Sequence, residues 1–485
     1  MTSTAIRGGP PAAAAAHESF RLRRDAELNT DETGELRLRQ SRFQLPLSGL
    51  GVSRRALALR LAADWVGDLE LHRIVVGLEG EGQVLPAQIL LRRLAAHSWL
   101  ERRLHAGGRP LLDVVPRGLG SGSLPEARRH EPGSRYRLSR FAGLRVQDGR
   151  LVAGSPLATV AVACVDAGLA TVFAAAADPG CDVRGVAHIL AVPEPIAGRV
   201  LDELLTARLL VTAAEFEQES SAAPLAYWLP EELALHDRAR PGRHVAAVGG
   251  TYPFRGKLPP ASLRRDFPDG RHQVLPVPDM ELVAKRDDPL TTVVRARRSI
   301  REHDDGQPLT VDALGEFLYR VQYTSGVKEA GGQEIGHRPY PGGGGLCELE
   351  IYPLVSRCSG LDPGLYHYDS VEHRLTLLTD TDTTGGRVAR YARSAAGMAE
   401  TPQVLLVITA RVQRMMWKYE GLSYAMALKN AGVLTGLMYL VATAMGLAPC
   451  ALGAGDSAGF ARLAGIDPLV EPNIADFALG SRRTA

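Results

Sequence analysis

Apolar positions along this chain follow two periods, and the period changes where the predicted element changes. In LPAQILLRRLAAHSWL, Leu90 and Leu94 stack one turn apart beside Leu91 and Ala95, which predicts a helix with one buried face. SRRALALRLAADW and ELHRIVVGLEG precede it as two further short helices, and GELRLRQSRFQLPLSGL before them reads as strands. Further along the order recurs. RYRLSRFAGLRVQDGRLVAGSP predicts a hairpin closed at an Asp-Gly turn. Helical segments follow it, ending in PIAGRVLDELLTARLLVTAAEF, where Pro195 suits a first turn and Val200, Leu201, Leu204 and Leu205 form the apolar stripe. Strands followed by three small helices, twice over, predict two winged-helix-like modules at 21–145 and 146–240.

Breaker residues crowd 241–290 in VGGTYPFRGKLPP, FPDG and LPVPD, predicting a linker or a strap lying across a surface. From 291 to 485 the texture is mixed, which predicts an α+β catalytic domain. DALGEFLYRVQY is an amphipathic helix, GLYHYDSVEHRLTLL a hairpin, and TPQVLLVITA a buried strand. SYAMALKNAGVLTGLMYLVATAMG predicts a long helix, apolar nearly all round through Val433, Leu434, Leu437, Met438, Leu440, Val441 and Met445, and ADFALG a last short strand.

Composition narrows the setting. A chain of 485 residues predicts about three domains. The net charge of +2 is spread without long single-sign runs, so neither DNA nor an anionic membrane is demanded as a partner. Cys164, Cys181, Cys347, Cys358 and Cys450 are odd in number and widely spaced, with no CxxC pair and no metal-ligand spacing among histidines; reduced thiols in a cytoplasm are the expectation. The first 20 residues, MTSTAIRGGPPAAAAAHESF, lack the leucine-rich core of a secretion signal and predict a disordered lead-in. PLATVAVACVDAGLATVFAAAADP is long and apolar, yet Asp166 at its middle and its small residues favour a buried helix with adjoining segments over a membrane span.

Candidate chemistry sits in the last third. Nearly every cation is arginine, and lysine occurs only at 257, 285, 328, 418 and 429, so Lys418 beside Tyr419 in WKYE invites explanation. A compact amine can be desolvated and give up its proton as a guanidinium cannot. Arg297, Arg298, Ser299 and Arg301 put three guanidinium groups and a hydroxyl in one short stretch, able to converge on a phosphate if the segment turns. Pro341-Gly342-Gly343-Gly344-Gly345 lets backbone approach a flat ligand closely, although it matches neither a P-loop nor GxGxxG. Leu452-Gly453-Ala454-Gly455-Asp456, after the long helix, could offer backbone N–H groups to an acceptor-rich ring.

Together, Arg297 to Arg301, RPYPGGGGLCELEIY, the long helix and ALGAGD resemble the FMN-binding nitroreductase fold, and more narrowly the SagB-type dehydrogenases, which oxidise azoline rings in ribosomally made peptides. The resemblance covers about 275–485 and extends to the approach segment YWLPEELALHDRARPGRHVAAVGGTYPFRG. It implies a central mixed β-sheet flanked by helices and a homodimer with FMN at its seam. Arg297, Arg298, Ser299 and Arg301 would then hold FMN, with Arg482 and Arg483 completing the phosphate site. Pro341, Gly342, Gly343 and Gly344 would lie against the ring system, and Leu452, Gly453, Ala454 and Gly455 would meet its other side. The family's Lys-Tyr pair corresponds to Lys418 and Tyr419, the implied acid–base residues. Adjacent helical residues point about 100° apart, so joint action requires a loop or helix boundary at 417–421. The chain departs from the family at Gly342, Cys347 and Thr435-Gly436, where Ser, Tyr and Gln-Asn are common.

The resemblance implies azoline oxidation with dioxygen as the final acceptor, an azoline-bearing precursor peptide as substrate and a possible cyclodehydratase partner. A winged-helix module could dock a leader peptide as an added strand. Two other readings stay open at this point: an NAD(P)H-dependent nitro or quinone reductase, and a non-catalytic assembly protein of a peptide-maturation complex.

Overall fold

Leu36 and Leu38 are buried while Arg37 and Arg39, which alternate with them, face solvent, the two-residue period of a half-buried strand. In the computed structural model, which describes residues 16–40, 43–118, 126–267, 270–380 and 383–483, the chain forms two compact units, 1–247 and 248–485.

In the first unit, helices Val52–Ala63, Asp68–Glu79 and Val84–Ala96 bury Leu57, Leu61, Leu71, Val75, Leu90 and Leu94 in one core. The hairpin Leu100–Ala106 and Arg109–Pro116 follows them. Helices Gly168–Ala177, Val183–Leu190 and Glu194–Thr206 surround a second core containing Val172, Leu190, Val200 and Leu204. One seven-stranded sheet serves both trios, and the module boundary expected at 145/146 falls inside its edge strand Gly143–Gln147.

Two further expectations change here, and a third, the buried helix with adjoining segments around Asp166, takes definite form. Residues 1–15 of the predicted lead-in lie outside the described residues, but Ala16–Leu22 is a strand paired with Leu100–Ala106, because Phe20 and Leu22 complete the first core. The last predicted helix stops at Thr206. Leu210–Thr212 is a strand paired with Tyr136–Leu138, and Thr212 with Glu215 then caps a separate helix, Ala213–Ser221. The apolar run around Asp166 divides into strand Val160–Cys164 and helix Gly168–Ala177.

The second unit is a seven-stranded sheet in the order Arg271–Val274, Arg374–Asp380, Gly364–Asp369, Leu349–Val355, Val404–Ala410, Asn473–Ser481, Leu447–Leu452. Every neighbouring pair is antiparallel, so the mixed sheet implied by the resemblance is antiparallel within one chain. Hairpins and returning helices bring each strand back against its neighbour. Helices Val311–Gln322 and Ser423–Ala444 cover one face through Leu314, Phe317, Leu434 and Met438, packed on Leu349, Ile351, Leu406 and Ile408. Helices Thr383–Ala396 and Ser457–Ala464 cover the other, where Tyr352, Leu354, Leu405 and Val407 point. The odd and even positions of the central strands thus build two cores.

The breaker-rich stretch, expected as a linker or a strap, is divided between the two units. Residues up to 247 belong to the first unit, and Arg271–Val274 joins the second sheet by pairing with Arg374–Asp380. The long helix also differs from expectation. It is long and apolar enough to cross a membrane by length and composition, but Leu434, Met438 and Val441 face the sheet, while Gly432, Val433 and Gly436 are exposed on the outer side. One chain covers only one side of it.

Candidate functional site

The short helix Val412–Lys418 buries Val412, Met415 and Trp417 and stops at Lys418. Tyr419 is extended, at φ −106 and ψ 143, and Gly421 takes a φ of +76. That break frees the two neighbours from helical divergence, and their side chains meet at the glycine loop. A Cβ placed on Gly344 would lie 2.6 Å from Tyr419 Oη and 2.7 Å from Lys418 Nζ. Lys418 Nζ sits 5.2 Å from the centroid of the Tyr419 ring.

The loop is built for this approach. Gly344 and Gly345 have φ of +69 and +66, a conformation that favours glycine, and a Cβ on Gly343 would overlap the Met426 sulfur. Its entry is fixed by Arg338, buried, which donates to Tyr340 Oη at 3.0 Å, Thr324 Oγ1 at 3.1 Å and the Leu349 carbonyl at 2.5 Å. Burial pushes the Tyr340 phenol up to about 12. At the exit, Asn430 donates to Glu348 Oε1 at 2.6 Å, both buried, and Asn430 Nδ2 would lie 3.8 Å from a Cβ on Gly342. Arg414, one turn before Lys418 and 1% exposed, donates to the carbonyls of Leu346, Ala261 and Glu334, each at 2.6 Å. Cys347 is buried, its thiol pushed up by burial, and acts as a packing group.

The arginine turn assembles elsewhere on the unit. The Ile300 N–H donates to the Pro449 carbonyl at 2.8 Å, laying the turn along strand Leu447–Leu452. Tyr439 Oη accepts from the Ala451 N–H at 2.8 Å and lies 2.8 Å from Ser299 Oγ, and the Arg297 guanidinium stands 5.3 Å from the Tyr439 ring centroid. Arg298 donates to the carbonyls of Arg295 and Arg297, and Arg301 Nε donates to the Ala396 carbonyl at 2.7 Å. A backbone bridge between His303 and Arg482 brings Arg482 to the same edge. Beyond the strand, Gly453 and Ala454 are exposed, and a Cβ on Gly455 would overlap the Asp476 carboxyl. Burial raises that carboxyl to about 6 against an opposing hydrogen bond from Asn473.

The predicted residues therefore form two half-sites hung on one helix. Asn430 and Met426 meet the glycine loop, and Tyr439 meets the arginine turn. Tyr439 follows Asn430 by nine residues, about 13 Å along the axis and half a turn around it. Pro341, Gly342, Gly343, Gly344, Lys418 and Tyr419 are together; Arg297, Arg298, Ser299, Arg301, Arg482 and the 452–455 loop are together on the other side. Guanidinium forks with exposed backbone N–H groups suit a phosphate arm and an acceptor-rich ring edge, and side-chain-free backbone suits a flat ring face, so the residues fit FMN. Among the described residues no cluster of three or more His, Cys, Asp or Glu could hold a metal. Tyr439, Asn430, Glu348, Arg414 and Asp476 escaped the sequence reading. Only Arg414 carries a signal in the sequence, a cation set among the apolar residues Val412, Met415, Met416 and Trp417.

Residues 294–480 match the nitroreductase family, and residues 136–245 match cyanobactin oxidase ThcOx. A nitroreductase homologue of Methanocaldococcus jannaschii is 29% identical over 178 residues, 37% of this chain and 82% of that protein. Among solved structures, a nitroreductase homologue from Ralstonia eutropha is 24% identical with a TM-score of 0.35, over 47% of this chain and 100% of that one. A chain of the Escherichia coli microcin synthetase McbBCD complex is 19% identical with a TM-score of 0.33, over 45% and 78%. The matched span holds the sheet's central strands, the arginine turn, the glycine loop and the Lys-Tyr pair, so residues 294–480 form a nitroreductase-family domain, with the cyanobactin-oxidase match ahead of it supporting the SagB-type resemblance.

Proposed function

We propose that the protein is an FMN-dependent azoline dehydrogenase that converts thiazoline or oxazoline rings of a ribosomally made peptide to thiazoles or oxazoles. The observation that carries this reading is the convergence of Lys418 Nζ and Tyr419 Oη on the backbone of Gly344. Aromatising an azoline removes a proton from the former α-carbon and a hydride equivalent from the adjacent CH2. Bound FMN supplies the two-electron acceptor. Lys418 and Tyr419 handle the proton, one abstracting it and the other orienting the abstraction. Arg297, Arg298, Ser299, Arg301 and Arg482 hold the phosphate end, and Leu452 to Gly455 hold the ring edge through backbone.

Because the half-sites lie on opposite sides of the long helix, and that helix exposes Tyr424, Leu428 and Val433, a second copy of the chain completes the site as a homodimer. The cyanobactin-oxidase match favours peptide azolines over nitro compounds or quinones. In this reading the protein is cytoplasmic, dioxygen takes the electrons, and the first unit docks a leader peptide or a cyclodehydratase.

Mass spectrometry of a cyclised precursor treated with the yellow enzyme is expected to find two hydrogens lost per ring. Lys418→Ala and Tyr419→Phe should each lower that turnover by about a hundredfold or more while keeping bound FMN. Yellow enzyme that leaves the azoline mass unchanged but is bleached by NAD(P)H at turnover rates would make it a reductase. A colourless protein that only binds a synthetase partner would make it an assembly factor.

A further inference from the structure

Residues 249–263 run antiparallel to the segment that carries the Lys-Tyr pair and are fastened to it at five successive points. Gly249 exchanges two backbone hydrogen bonds with Glu420, at 3.1 and 2.9 Å. The Tyr252 N–H donates to the Lys418 carbonyl at 3.0 Å, and Trp417 Nε1 donates to the Leu258 carbonyl at 2.8 Å. Arg414 donates to the Ala261 carbonyl at 2.6 Å and Arg411 to the Leu263 carbonyl at 2.8 Å. Thr251 Oγ1 adds a bond to Glu420 Oε2 at 3.0 Å, and the Tyr252 ring meets Trp417 edge-on with centroids 5.7 Å apart. The stretch lies between the two matched spans, 136–245 and 294–480.

Arg414 gives the arrangement a purpose beyond covering a surface. The residue is 1% exposed, and its guanidinium is held by carbonyls of this strap, of the glycine loop's last turn at Leu346 and of strand Gln333–His337 at Glu334. Burying a cation among carbonyls costs free energy that an apolar side chain of similar length would not incur. What the cost secures is geometry, because one planar fork ties the strap and the loop to the helix that ends at Lys418. Tyr419 stays extended because the bonds on either side of it, at Lys418 and Glu420, are both made to the strap.

We infer that residues 249–263 are a clamp that positions Lys418 and Tyr419 over Gly344, with Arg414 as its pin. The clamp rests on the reading of that pair as the acid–base residues of azoline oxidation. It makes Arg414, Trp417 and Thr251 positioning residues that never touch substrate.

The test uses the full-length, FMN-loaded enzyme and two variants: Arg414→Lys, which keeps the charge but not the fork, and the milder Trp417→Phe/Thr251→Val, which removes two latches with little change of shape. Hydrogen–deuterium exchange should rise together in 249–263 and 412–421, by tenfold or more in rate. In the same samples kcat for the two-hydrogen mass loss should fall at least tenfold, with KM changed less than about threefold, FMN stoichiometry kept, and the pH profile of kcat displaced. Exchange that rises in the strap while 412–421 stays protected would overturn the clamp. So would unchanged kcat in both variants, or a loss of kcat that only tracks lost FMN. Should Arg414→Lys fail to fold, the double variant decides alone. If the parent enzyme oxidises no azoline, the proposed function fails, while coupled exchange of the two segments still decides whether the clamp exists.

Discussion

At Gly344 a φ of +69 and the proximity of Lys418 Nζ and Tyr419 Oη leave no place for a side chain. Gly344→Ala would meet a left-handed backbone, costing about 1–2 kcal/mol, and would push both side chains off the loop. Misplacement by about an ångström at a reacting centre can cost a hundredfold in rate. The variant is expected to keep FMN, read by absorbance, and to lose azoline turnover by at least about tenfold; activity within twofold of the parent would mean that the pair works elsewhere. Lysine scarcity made Lys418 legible in the sequence. Asn430 and Glu348 were not legible, since an asparagine in a helix and a glutamate before a strand look ordinary until burial joins them at 2.6 Å.

Among elements, the helix Ser423–Ala444 shows where pattern reading stops. Its hydropathy announced burial on every side, yet Tyr424, Leu428 and Val433 are exposed at 39%, 38% and 41%. Periodicity reports that a surface is apolar and not which chain covers it. Val433→Glu puts a charge on the outer side, away from the sheet. Under the dimer proposal it should convert the protein to monomer by size exclusion with light scattering and lower FMN affinity at least tenfold, whereas a variant that remains dimeric and yellow would exclude this side as the seam. The short helix Val412–Lys418 was missed as an element, because its ending depends on bonds to 249–263, far away in sequence.

For the whole molecule, two buried titratable groups at the arginine-turn end pull stability in opposite directions. Burial lowers His303 from 6.5 to about 4, against Asp305 and helped by Arg357. Its unfolded form takes up a proton first as pH falls, so the stability tied to neutral His303 is full above 6.5 and is lost down to 4. Asp476 is raised by burial from 3.8 to about 6, so its protonated form is favoured in the fold and stability falls as pH rises from 3.8 to 6. Each shift is worth on the order of 3 kcal/mol, and between pH 4 and 6 the two nearly cancel. Asp476→Asn should therefore unfold at higher temperature than the parent at pH 7, show no gain at pH 4, and acquire a steeper loss on acidification. A parallel pair of melting curves across that range would remove Asp476 from the account.

Hydropathy period, glycine runs and the spacing of arginines were enough to define the α+β class and the residues to inspect, because those signals depend on neighbours within a few turns or strands, while the C-terminal family came from the resemblance those motifs carry. Contacts distant in sequence decided the rest. A sheet shared by both helical trios, an antiparallel order, the two half-sites on opposite sides of one helix and the strap that halts a helix at Lys418 all arise from packing and hydrogen bonds between segments up to about two hundred residues apart, which no local pattern encodes.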